Sequence, residues 1–227
     1  MSTSSRHHWV IGDVHGCHDS LEQLLAVLPG RDHLVFCGDV INRGPQIAAA
    51  MDRVWDLVTS GRATWLRGNH EQALIDALSG GDAASRDAVS SCDTLHQLGE
   101  LRARQWLERL LELPLLYQAS GWCATHAGFT AGGEPDLSIR DAFWESYDGS
   151  FGRAVVGHTP RPQVERGEWL VLIDTGAVYG GMLSAFCPET DAVVQVRGAA
   201  ADVALPPPDG PRRNRVPALL GRNSLPC

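Results

Sequence analysis

Short apolar runs alternate with amphipathic stretches through the first third of the chain. His8-Trp9-Val10-Ile11 predicts a strand ending at Gly12-Asp13, and Ser20 to Leu28 predicts a helix with Leu21, Leu24, Leu25 and Leu28 on one face. His33-Leu34-Val35-Phe36-Cys37 predicts a second buried strand, again ending in Gly-Asp. Pro45 then opens a helix running to about Ser60, where Gly61 stops it. Thr64-Trp65-Leu66 predicts a third strand ending at Arg67-Gly68-Asn69-His70, with a further helix from Glu71 to Leu78. Such a β-α-β-α-β-α start implies a parallel sheet whose loops gather at one edge, where α/β proteins place their ligands.

From Gly80 to about Leu113 the pattern is helical, with Leu95, Leu98, Leu101, Trp106, Leu107, Leu110 and Leu111 as its apolar stripe, and predicts a helical cap on the core. Strands return over 122–125, 154–156, 170–173, 183–186 and 192–196. No long helices separate them, which predicts antiparallel pairing. The expected fold class is α/β, with two packed sheets flanked by helices. After Gly198 three consecutive prolines and then Arg212, Arg213, Arg215 and Arg222 change the composition. The expected organisation is a domain over 1–197 and a Pro/Arg-rich tail over 198–227.

A length of 227 residues with 44% hydrophobic content suits one compact core. The net charge of −8 argues against general nucleic-acid binding, because phosphate backbones reward basic surfaces. No run of about 18 apolar residues predicts a membrane span, and no apolar leader follows Met1 to His8, so a cytoplasmic location is the default expectation. The six cysteines (17, 37, 92, 123, 187 and 227) lack paired or zinc-finger spacing and read as free, packing thiols.

The polar residues at the strand ends change the picture most. They are Asp13 and His15 in Gly-Asp-Val-His-Gly, Asp39 in Gly-Asp-Val-Ile-Asn-Arg-Gly, and Asn69 and His70 in Gly-Asn-His-Glu. His126 in His-Ala-Gly and His158 in Gly-His-Thr follow. Carboxylate, amide and imidazole without thiolate suit manganese, iron or zinc. Two metals about 3.5–4 Å apart need a shared carboxylate, and Asp39 lies between the two groups in chain order.

These five segments, in this order, resemble the phosphoprotein-phosphatase-type metallophosphoesterases, over about Trp9 to Val196. That family includes Ser/Thr protein phosphatases, the bacteriophage lambda phosphatase and bacterial diadenosine tetraphosphate hydrolases. Ile173-Asp-Thr-Gly-Ala-Val-Tyr-Gly-Gly181 also resembles the bacterial branch. The resemblance implies an αββα sandwich and two divalent ions, manganese foremost with iron or zinc as alternatives. It implies that Asp13 and His15 bind the first metal, that Asp39 bridges, and that Asn69, His126 and His158 complete the second. His70 would be the general acid and Arg43 a phosphate ligand, in an in-line attack by a metal-bridging hydroxide.

Two departures mark this chain. The protein-phosphatase pattern has Asp where Asn42 stands, beside the catalytic histidine; Asn42 is expected to accept a hydrogen bond from His70 without stabilising its charge. The arginine often found two residues after a tryptophan between the last two motifs is also absent, since Glu145 and Ser146 follow Trp144; Arg140 and Arg153 are the candidates to replace it. The leading expectation is a phosphomonoesterase whose substrates include phosphoserine and phosphothreonine. The alternatives are a diadenosine polyphosphate hydrolase and, from another class, a non-catalytic phosphate-binding module. Retention of every ligand and of His70 argues against the last.

Overall fold

The computed structural model describes residues 6–80 and 92–199. Nearly all of the expected 198–227 tail lies outside them, as do Cys227 and the polar 85–91 stretch of the cap. Three strands, β1 (His8–Ile11), β2 (His33–Phe36) and β3 (Ala63–Trp65), pair in parallel. Helices α1 (His18–Val27), α2 (Ile47–Thr59) and α3 (Asn69–Ser79) follow them in turn. The cap region supplies α4 (Asp93–Leu98) and α5 (Glu100–Leu111). The second half contributes β4 (Leu116–Ala119), β5 (Trp122–Thr125), the hairpin β6 (Gly128–Phe129) and β7 (Pro135–Asp136), and α6 (Asp141–Ser146). It ends with β8 (Arg153–Val156), β9 (Glu165–Arg166), β10 (Leu170–Leu172), β11 (Met182–Cys187) and β12 (Ala192–Arg197).

Two five-stranded mixed sheets result, ordered β12-β11-β1-β2-β3 and β4-β5-β8-β10-β9. Side-chain alternation explains why they stack. Trp9 and Ile11 of β1, with Leu34 and Phe36 of β2, face the helices α1 and α2. The residues between them, Val10 and Val35, face the second sheet and meet Trp122, Ala124, Val155 and Val171 there. The outer face of the second sheet, Cys123, Ala154, Val156 and Leu172, packs on Phe129 and Phe143 from the hairpin and α6. This is the αββα sandwich.

The expected antiparallel pairing of the later strands needs correction. β8 pairs in parallel with both β5 and β10, while β4, β9, β11 and β12 and the β6–β7 hairpin pair antiparallel. The hairpin and six-residue α6 carry the chain back between β5 and β8, so a crossover needs no long helix. Parallel β5 and β8 bring His126 and His158 out at the same rim as Asp13 and Asp39.

The opposite rim carries a different cluster. The His8 ring meets Trp122 edge-on and Tyr117 at a tilt, while Tyr117 stacks on His33. Glu189 joins the two sheets there, 2.7 Å from His8 Nδ1 and 3.3 Å from Trp122 Nε1. These are two of the histidines with no motif in the sequence. The five described cysteines are free and buried.

Candidate active site

Every segment singled out by the strand-end pattern leaves the carboxyl end of a strand and turns sharply. Six non-glycine residues among those described have positive φ, and five of them belong to the site: His15 (44°), Asp39 (49°), Asn42 (70°), Arg43 (68°) and His158 (68°). Such conformations cost energy and concentrate where side chains must be aimed. Two glycines admit the close approach. A Cβ on Gly68 would run into Asp39 Oδ1, and one on Gly157 into Asp13 Oδ1.

The nine residues named from the sequence gather around Asp39. Its Oδ2 lies 3.4 Å from His126 Nε2, 3.8 Å from His15 Nε2 and 3.9 Å from His70 Nε2. Asp13 Oδ2 lies 3.9 Å from His15 Nε2, and both Asp13 oxygens accept from His158 N–H. Asn69 Oδ1 is 2.9 Å from both His126 Nε2 and His158 Nδ1. Two overlapping groups, His15 with Asp39 and His70, and Asp39 with His126 and His158, have the spacing to hold a metal ion.

The donor set fits cations on chemical grounds. His126 Nδ1 must donate to the Cys37 carbonyl at 2.7 Å, and His15 Nδ1 to the Ile41 carbonyl at 2.9 Å. Burial holds His126 neutral, its pKa lowered to about 3, and lowers that of His15 as well. The Nε2 atoms are therefore bare lone pairs, aimed at Asp39 Oδ2 and, for His126, at Asn69 Oδ1. Backbone carbonyls fixing the far nitrogen are the usual support of a metal-ligating histidine. Burial, then the neighbouring carboxylates, push the Asp13 pKa well up, and burial with the nearby Glu71 does the same for Asp39. So many acceptors converging in a buried site call for positive charge.

Glu71 fixes the frame rather than joining it. Its carboxylate accepts from the N–H groups of Asp39, Val40, Ile41 and Gly68, tying the β2 loop to the start of α3. Asp174, which sequence reasoning did not assign, is also buried here, its pKa raised by burial to about 6, and adds to the charge around Asp13. Its signal was present: Ile173-Asp174-Thr-Gly repeats the strand-then-aspartate pattern of Asp13 and Asp39.

Asn42 departs from expectation. Its Oδ1 is committed to Thr94, accepting from the backbone N–H at 3.2 Å and the hydroxyl at 3.4 Å, with the Cys92 thiol at 3.7 Å. Its Nδ2 therefore faces His70 Nδ1, at 2.9 Å, and donates instead of accepting. Neutral His70 consequently carries its proton on Nε2, the atom that faces Asp39. Burial, then the Arg43 charge, lower the His70 pKa to about 3.

Arg43 donates to His15 Nε2 at 2.7 Å, with its guanidinium 5.6 Å from the Tyr179 ring centre. Tyr179 thus borders the site. Of the two candidate replacement arginines, Arg140 reaches it, with Nε 3.4 Å from His158 Nε2. Arg153 does not; it pairs with Asp191 and lies over Phe186.

The sequence pattern that defines the calcineurin-like phosphoesterases matches residues 7–198. The chain belongs to that family. This metallophosphoesterase is a hydrolase of phosphate esters or anhydrides, and its family works through a two-metal centre. It is 29% identical to serine/threonine-protein phosphatase 1 of Salmonella typhimurium, over 79% of this chain and 90% of that one. It is 28% identical to the asymmetrical bis(5'-nucleosyl)-tetraphosphatase PrpE of Anoxybacillus flavithermus, over 81% and 91%. A serine/threonine phosphatase structure from Saccharomyces cerevisiae shares the fold, with a TM-score of 0.60 at 16% identity, over 91% and 83% of the two chains. Among the described residues no helix is long and apolar enough to cross a membrane.

Proposed function

We propose that this metallophosphoesterase hydrolyses nucleotide phosphoanhydrides, with dinucleoside polyphosphates as substrates, in preference to alkyl phosphomonoesters. The observation that carries the reading is the Asn42–His70 contact. An imidazolium at His70 would turn an Nδ1–H against the Asn42 amide N–H, and rotating that amide would break its bonds to Thr94. His70 is therefore a hydrogen-bond donor through Nε2–H and a poor source of a whole proton. A serine alkoxide needs that proton to leave, whereas a nucleotide leaves as a phosphate whose last pKa is about 6.

Asp13, His15, Asp39, Asn69, His126 and His158 would hold two divalent ions, manganese foremost, which supply positive charge to the phosphoryl oxygens and a water of lowered pKa. Asp39, common to both candidate ligand groups, would serve both ions. Arg43 binds a phosphoryl oxygen through its planar fork, backed by Tyr179. His70 steadies the departing oxygen.

A second reading, a phosphoserine or phosphothreonine phosphatase, draws support from the similarity to the Salmonella enzyme along 90% of its length. Parallel assays with diadenosine tetraphosphate and a phosphoserine peptide, both with added manganese, separate the two. The anhydride should show the higher kcat/KM by at least tenfold in order of magnitude, given that general acid catalysis contributes about 10²–10⁴. Faster turnover of the phosphopeptide sinks the proposal.

A further inference from the structure

Four buried carboxylates described at the catalytic rim are Asp13, Asp39, Glu71 and Asp174. The first two belong to the ligand set and Glu71 to the frame that holds it, which leaves Asp174 without a part. It is only 3% exposed. It follows β10 as His158 follows β8, and those strands are parallel, so it leaves the second sheet on the side where Asp13 leaves the first. The two loops touch there: a Cβ on Gly12, the residue before Asp13, would lie 3.4 Å from Asp174 Cα. Asp174 is also held in place. Its Oδ1 accepts from the Gly176 N–H at 2.9 Å, and its backbone carbonyl accepts from the Arg161 N–H at 3.0 Å.

A carboxylate buried beside another carries an unfavourable charge that a cation offsets. After burial, Asp174 is the strongest influence raising the Asp13 pKa, ahead of Asp39. At Asp39 its influence is smaller, behind burial, Glu71, the His70 N–H bond and Arg43. The charge thus bears on the Asp13 side of the centre more than on the bridge. We propose that Asp174 is a positioning residue of the metal centre, whose carboxylate, supplied by the second sheet, sets how tightly the ion of Asp13 and His15 is held. This assignment rests on the two-metal reading above and holds for anhydride and ester substrates alike. It deepens an asymmetry already present in the ligands. Asp13 brings its own charge to the first ion, whereas Asn69, His126 and His158 bring none to the second.

Asp174→Asn tests it, because an amide keeps an oxygen for the Gly176 N–H and removes the charge. Calorimetric titration of the chelator-treated protein with manganese reads the binding events, and His158→Gln, which removes a second-site ligand, identifies which event belongs to which site. Asp174→Asn should weaken the first-site event by about tenfold, as loss of an outer partner of a metal ligand does. The second event should stay within about twofold, because Coulomb forces fall with distance. Thermal midpoints at neutral pH add a sign that a structural role would not produce. Without metal the variant should melt no lower than the parent, since a repulsion is relieved, whereas the rise on adding manganese should shrink. Unchanged affinities in Asp174→Asn, or both events weakened alike, overturn the assignment. So does a lower metal-free midpoint, or a loss seen in Asp174→Ala and absent from Asp174→Asn, either of which would confine the carboxylate to holding the turn. A parent that takes up no manganese overturns the two-metal reading and this assignment with it.

Discussion

An amide and a carboxylate occupy nearly the same volume, yet beside a histidine they impose opposite proton positions. The carboxylate can only accept, whereas the amide nitrogen can only donate. At position 42 the choice is made by Thr94, whose backbone N–H fixes the amide oxygen and so aims the nitrogen at His70. Asn42→Asp should reverse the polarity of this contact and let His70 carry two protons. We expect kcat/KM for an alkyl phosphomonoester to rise by about 10- to 100-fold relative to that for diadenosine tetraphosphate. An unchanged ratio would mean that the departing group never depended on His70. The identity of residue 42 is legible in the sequence, but its polarity is not, because the deciding partner lies 52 positions away.

At the scale of elements, the cap is fastened to the sandwich through indoles. Trp106 of α5 is 2% exposed and meets Trp55 of α2 at 5.7 Å and Trp65 of β3 at 6.2 Å between ring centres. Trp106→Ala should lower unfolding stability by about 3–5 kcal/mol, measured by denaturant titration, because the cavity left cannot collapse against two other indoles. A loss below about 1 kcal/mol would show that the cap contributes little to the core. The apolar stripe naming Trp106 was readable, as were the strands through Trp65, since period and burial go together there. Short elements were not: β4, the hairpin and α6 carry too few residues to display a period. Arg140 could not be chosen over Arg153 for the same reason, since α6 and its loop decide which arginine faces His158.

At the scale of the molecule, the candidate ligands come from both sheets: Asp13, Asp39 and Asn69 follow strands of the first, His126 and His158 strands of the second. Metal binding is therefore expected to raise the melting temperature, by about 2.7 kcal/mol of stabilisation at a hundredfold excess over Kd. Asp39→Asn should abolish that response in a thermal scan with and without manganese. A metal-indifferent parent would refute the shared-carboxylate assignment. At the far rim, burial, then Arg6 and His8, lower the His33 pKa to about 4. The unfolded chain takes up this proton near pH 6.5, while the folded chain resists until about pH 4. Stability should thus fall as pH drops through that window and be flatter in His33→Gln, compared by denaturant titration at each pH; identical slopes would exclude the effect. The Glu189 bridge and the metal centre thus fasten the same two sheets at opposite rims. Under mechanical load, such a sandwich should shear rather than peel. With metal removed, one fastening goes, and an optical trap pulling one sheet against the other should record a lower first rupture force that begins at the catalytic rim.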